Sequence, residues 1–182
     1  MKKILSFIWE ITKIVIIAFL IVVPIRYFLF QPFIVKGESM RPNFETGDYL
    51  IIDQISYRFR EPQRGEIVVF KYPQNSSQRY IKRIVGLPEE TIEIKDGKII
   101  IYQRDGQSWI LNESSYLSDS IFTSGDIKIT LAENEYFVLG DNRYFSADSR
   151  KFGPFPKKNI IGRVFLRVWP FTIFTKVEVP SY

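Results

Sequence analysis

Residues 11–30 are apolar apart from Thr12, Lys13, Pro24 and Arg26, and this run constrains the chain more than any other feature. Twenty helical residues span about 30 Å, the thickness of a bilayer hydrocarbon core. A transmembrane anchor is therefore expected over 11–30, behind a short basic and amphipathic lead-in over 1–10. Lys13 and Arg26 lie toward opposite ends of the run, where long side chains can snorkel to the headgroups. A cleaved secretory leader shares the basic-then-apolar order. Here, however, the run continues past Pro24 and no small-x-small pattern precedes Gln31, which favours an uncleaved anchor. Lys2, Lys3 and Lys13 precede most of the span, so the N-terminus is expected in the cytoplasm and residues 31–182 outside.

The remaining 31–182 are long enough for one domain with a sizeable core. Sixteen Phe, ten Tyr and abundant Ile and Val lean toward strands. The formal charge of +5 falls to +2 once Lys2, Lys3, Lys13, Arg26 and Glu10 are set aside, and no basic run remains. No nucleic-acid partner is expected from such a surface. The chain has no Cys and no His, which excludes disulfides and thiol catalysis and argues against a conventional zinc site. No metal and no cofactor are expected.

Strand patterns recur from the end of the anchor. Residues 31–35, 49–52, 66–70, 80–87, 136–139 and 160–169 read as strands, and Asp96-Gly97 joins 91–94 to 99–102 as a hairpin. No helical stripe of useful length follows residue 30. The expected fold is mainly β: one N-terminal transmembrane helix, then an antiparallel, barrel-like β-sheet domain. A hairpin-rich excursion is expected over about 90–135.

With no imidazole and no thiol, nucleophilic chemistry must rest on Ser or Thr activated by another base. Gly37-Glu38-Ser39-Met40-Arg41-Pro42 places Ser39 in a short polar turn just past the anchor. Alone that is weak, since most serines in such turns are simply solvated. Lys82, in Tyr80-Ile81-Lys82-Arg83, is the candidate base. A third stretch, residues 140–150, holds Asp141, Arg143, Asp148 and Arg150; it reads either as a solvated turn or as a loop cross-braced by its own ion pairs.

Taken in order, these blocks resemble the type I, bacterial-type signal peptidases, Ser-Lys proteases of the membrane. The resemblance rests on Gly37 to Pro42, Gly47-Asp48, Arg64-Gly65-Glu66-Ile67-Val68-Val69-Phe70 and Tyr80-Ile81-Lys82-Arg83-Ile84-Val85-Gly86-Leu87-Pro88. Gly140-Asp141-Asn142-Arg143 with Ser146 and Asp148-Ser149-Arg150 completes the set. The closing Arg167-Val168-Trp169-Pro170-Phe171 looks like photosynthetic-bacterial members. The resemblance implies Ser39 as nucleophile, Lys82 as general base and Ser146 as the hydroxyl that orients the amine. Asp141, Arg143, Asp148 and Arg150 would hold the last loop together. An extended peptide would lie between 33–35 and the strand ending at Lys82, with Val35, Met40 and Ile81 lining shallow pockets for small side chains. Its partners would be signal-peptide-bearing precursors and membrane lipid, its state a monomer, its home the plasma membrane, with the thylakoid membrane as the other candidate. A lysine at its ordinary pKa is neutral about once in 2,500 at pH 7, so burial must lower the Lys82 pKa, to around 8.

Two positions depart from the family pattern. Gly37 stands where some members carry a hydroxyl residue in the oxyanion hole, leaving the Ser39 backbone N–H as its main donor; a serine at 37 is expected to be sterically modest. Glu89-Glu90 replaces a common Gly-Asp. Two other readings compete: a Ser-Lys self-cleaving repressor, which needs a DNA-binding domain where the apolar run stands, and a non-catalytic anchored β-domain, which gives no reason for Ser39, Lys82 and Ser146 to occur together.

Overall fold

In a computed structural model, which describes residues 2–24, 30–118, 120–180 and 182, the lead-in and the apolar run join in one helix, α1 (Lys2–Pro24). Side chains 3–22 are exposed along its whole length, and Thr12 returns its hydroxyl to the Ile8 carbonyl at 2.8 Å. An apolar helix without a protein partner needs lipid around it. Arg26 falls in 25–29, outside the described residues, while Phe30, the expected last residue of the anchor, is already in a strand and pairs with Asp53.

The strands are β1 (Phe30–Ile34), β2 (Tyr49–Asp53), β3 (Ile67–Tyr72), β4 (Asn75–Gly86), β5 (Thr91–Lys95) and β6 (Lys98–Tyr102). They continue with β7 (Ser108–Ile110), β8 (Ile127–Thr130), β9 (Glu135–Leu139), β10 (Phe155–Pro156), β11 (Ile160–Trp169) and β12 (Thr175–Lys176). A four-residue helix, α2 (Ser149–Phe152), lies between β9 and β10. All pairings among the described residues are antiparallel. The larger sheet runs β1-β2-β11-β3-β4-β9-β10 with β12 beside β11; the expected excursion is a second sheet, β7-β6-β5-β8.

The uninterrupted apolar run of β3 has a simple cause. Successive strand residues face opposite sides, and both sides of β3 are covered. Ile67 and Val69 join one core with Val35, Met40, Leu50 and Ile81, while Val68 and Phe70 join another with Ile84, Tyr136 and Phe155. β9 bridges likewise, sending Phe137 and Leu139 into a third core shared with Ile92, Ile94, Ile99 and Ile101 of the excursion. β4 begins at Asn75, five residues before the expected 80, because its polar start pairs with β3 while remaining exposed. That extension shapes the cleft described next.

Candidate active site

β4 pairs with β3 along its length but with β9 only from Arg83 to Gly86. Residues 75–82 therefore have no ladder partner on that side among the described residues. β1, at the sheet edge, pairs only with β2 among the described residues. Between these two free edges lies a cleft of about 650 Å³. Phe33, Ile34 and Lys36 line one wall and Ser77 to Lys82 the other, with Gly37, Glu38, Ser39, Phe145 and Ala147 at one end.

Ser39 and Lys82 meet at that end, 43 residues apart in sequence. Lys82 Nζ donates to Ser39 Oγ at 2.7 Å and to the Ile81 carbonyl at 2.8 Å. Lys82 is buried, with 3% of its surface exposed. Burial lowers its pKa to about 8, and the Asp148 and Asp141 carboxylates pull part of the way back. About one amine in ten is then neutral at pH 7. A buried amine touching a hydroxyl at the end of a peptide-sized groove can take the hydroxyl proton and later return it.

The turn carrying Ser39 is fixed on both flanks. Val35 N–H donates to the Asp48 carbonyl at 3.0 Å, Gly47 N–H to the Val35 carbonyl at 3.0 Å, and Thr46 Oγ1 to the Gly37 carbonyl at 2.8 Å. Gly37 has φ +89°, so the sterically modest serine expected there is only half right. Nothing lies within 4 Å of an added Cβ, but the backbone itself disfavours one.

Loop 140–150 supports the pair from the other side, and the internal cross-bracing expected is present in part. Arg150 forks onto Asp148 at 2.9 and 2.8 Å and donates to the Arg143 carbonyl at 2.7 Å, while Arg143 donates to the Gly140 carbonyl at 3.0 Å. Burial would raise the Asp148 carboxyl, but Arg150 and the Gly140 N–H outweigh it and hold it below its usual value. Asp141 instead reaches Arg83, at 2.9 and 2.7 Å, and accepts from Asn43 Nδ2 at 2.7 Å. Arg143 forks onto Glu113 at 2.6 and 2.5 Å and onto Thr123 Oγ1 at 2.5 Å. The excursion thus contributes partners to the loop beside the site. No local pattern marks Arg83 or Glu113 as partners, since both lie far away in sequence.

Ser146 does not bond to Lys82. Its buried Oγ makes no well-aligned hydrogen bond among the described residues, although the hydroxyl is near enough to the Asp148 carboxyl to help hold it low. The expected pocket residues do come together, as Val35, Met40 and Ile81 share one core, yet only Ile81 lines the cleft. Val35 and Met40 are each 1% exposed and are closed off beneath it. The Glu89-Glu90 departure has a local solution. Glu89 takes the left-handed turn position at φ 67°, and the Glu90 carboxylate accepts from Leu87 N–H at 2.8 Å and pairs with Arg64.

Two residues were missed from sequence. Asn142 N–H donates to the Ser39 carbonyl at 3.0 Å and its Nδ2 to the Glu38 carbonyl at 3.1 Å, clamping the loop to the serine turn. Gly140 sits so close that a Cβ would fall 2.2 Å from Ser146 Oγ and 2.5 Å from the Ser39 carbonyl oxygen. Gly140→Ala is expected to displace both serines while leaving the cores intact. Its kcat on a peptide substrate should fall about tenfold, and its unfolding midpoint should fall as well, because the Ser39 carbonyl it meets is backbone and cannot swing aside.

The profile of a family described as signal peptidase, peptidase S26, matches residues 8–169. A signal peptidase I of Leptolyngbya laminosa is 38% identical over 167 residues, covering 87% of this chain and 78% of that protein. A probable signal peptidase I-2 of Synechocystis is 34% identical over 166 residues, covering 88% and 73%. Signal peptidase I V of Bacillus subtilis is 33% identical over 154 residues, covering 81% and 90%.

Proposed function

The chain belongs to the signal peptidase, peptidase S26, family, and from that premise we propose how its own residues perform the cut. It is a serine endopeptidase that removes signal peptides from precursor proteins. One observation carries the assignment of residues: the 2.7 Å contact between Lys82 Nζ and Ser39 Oγ in the cleft.

The precursor lies extended between β1 and the free edge of β4, and its bond to be cut rests over Ser39. Neutral Lys82 takes the Ser39 proton as Oγ attacks the carbonyl carbon. The Ser39 N–H, in the turn shaped by Gly37, supports the oxyanion. As the C–N bond breaks, the Lys82 ammonium returns its proton to the departing amine, the new N-terminus of the mature chain. Water then attacks the Ser39 ester with Lys82 again as base. Ser146 turns its hydroxyl to the amine and holds it in line. Asp141, Arg143, Asp148 and Arg150 fix the loop that carries Ser146. Small side chains before the cut are selected because Val35 and Met40 are already packed behind Ile81 and leave little depth.

The chain works as a monomer held in lipid by α1. Residues 1–10 lie in the cytoplasm, the apolar run that starts at residue 11 crosses the plasma membrane and ends before Phe30, and 31–182 act outside, with a thylakoid membrane as the other setting. Protease added to spheroplasts is expected to digest 31–182, whereas protection of that portion would reverse the orientation. Incubating the detergent-solubilised protein with an exported precursor tests the activity directly. The product should carry a new N-terminus after a small-x-small site, and Ser39→Ala should yield none. A cut by Ser39→Ala would remove Ser39 from the mechanism.

A further inference from the structure

Two exposed aromatic residues, Tyr144 and Phe145, stand beside the nucleophile on loop 140–150, and Phe145 lines the cleft although 77% of its surface is open to solvent. An aromatic left that exposed gains nothing from the core. It is also not on a slack loop. Phe145 N–H donates to the Asn142 carbonyl and to Asn142 Oδ1, each at 3.2 Å, while Asn142 itself donates to the Ser39 and Glu38 carbonyls. The ring is therefore carried on backbone tied directly to the serine turn.

Its position relative to the cut follows from strand direction. β1 runs toward Ser39 from Phe30 to Ile34, and the free edge of β4 runs toward it from Asn75 to Lys82. Both strand walls lie on the approach to the nucleophile and, on the reading above, hold the residues before the cut. The rest of the lining, Gly37, Glu38, Phe145 and Ala147, comes from the serine turn and loop 140–150 and not from the two strands. On the same reading, a peptide that continues past Ser39 meets this part of the lining and its exposed ring.

We propose that Phe145 is a specificity-determining residue, selecting an apolar side chain at the first or second position after the scissile bond. The inference rests on the proposed function and concerns the side of the site that the small pockets before the cut do not reach. An apolar residue there covers the exposed ring on binding, whereas an acidic one gains no such cover and must give up part of its hydration.

The test uses the full chain in detergent and peptides that share one small-x-small sequence before the cut. They differ after it, carrying Leu, Phe, Gly or Asp at the first and second positions. Wild type should cut the Leu and Phe peptides with kcat/KM about tenfold above the Gly peptide. The Asp peptide should fall below Gly. Phe145→Asn should bring the Leu-to-Gly ratio close to one, chiefly through KM, and Phe145→Tyr should restore it. A flat wild-type series, or an equal loss on every peptide in Phe145→Asn, would overturn the proposal. So would a loss seen only with vesicle-embedded precursors whatever follows the cut, which would make the ring a bilayer contact. Failure of wild type to cut after the small-x-small sequence in any peptide would instead overturn the proposed function beneath it.

Discussion

Asp141→Ala is expected to cost about 3–5 kcal/mol of stability, the usual penalty for stranding one member of a buried ion pair. Asp141 is fully buried and Arg83 is 2% exposed. Without the carboxylate, the Arg83 guanidinium keeps only the Gly65 carbonyl at 2.9 Å and the Tyr116 ring, 3.9 Å away. Asn43 loses one of its two acceptors as well. Chemical denaturation of the full chain in detergent measures the loss. Replacing both partners, Arg83→Met with Asp141→Leu, should recover most of it, because the two apolar groups leave no charge behind. A loss below about 1 kcal/mol in the single variant would mean that water or another cation reaches Arg83. Asp141 also raises the Lys82 pKa. The fraction of Asp141→Ala that stays folded should accordingly reach its half-maximal rate at lower pH than wild type.

Lys82→Met is expected to abolish cleavage and to make the protein more stable at neutral pH. General-base removal costs about 10²–10⁴ in rate, and a thioether cannot take a proton. The stability gain follows from the same burial. The folded chain holds the Lys82 proton with a pKa of about 8, against the ordinary 10.5 of a lysine in the unfolded chain. Between these values the unfolded state binds more protons, so wild-type stability rises with pH across that window. Below about pH 8 both states are protonated and the full penalty remains, on the order of 3 kcal/mol. Lys82→Met escapes it. Its unfolding midpoint should exceed that of wild type at pH 7 and approach it near pH 10. Lys82→Arg should be equally inactive, because a guanidinium stays protonated. A Lys82→Met variant with more than about a hundredth of the wild-type rate would remove the lysine from the mechanism.

Local chemistry made much of this legible. The strands of the larger sheet announced themselves through apolar runs, and the Asp96-Gly97 hairpin through its turn. Ser39 and Lys82 could be named because a chain without His or Cys leaves few routes to a nucleophile. Long-range partners were the part that could not be read. Asp141 was expected to brace its own loop, but the nearer cation, Arg143, is drawn onto Glu113, 30 residues away. Arg83 follows Lys82 in β4 and takes Asp141 because period-two alternation turns neighbouring side chains to opposite faces. Gly140 looked like an ordinary turn glycine, since the need for clearance comes from Ser39, a hundred residues earlier in the chain. Two of the three expected lining residues were misplaced for a related reason. Val35 and Met40 flank Ser39 in sequence, but the turn folds them into the core.

The pH dependence of kcat/KM for a peptide bearing a small-x-small site tests the Ser39–Lys82 pair most directly. The rate should climb from pH 6 and level off with an apparent pKa near 8, set by the burial that lowers the Lys82 ammonium. In Asp141→Ala the same limb should move to lower pH, tying the titration to Lys82 rather than to the substrate. A rate that is flat from pH 6 to 10, or one still climbing with the pKa of an exposed lysine near 10.4, would contradict a buried lysine acting as the base.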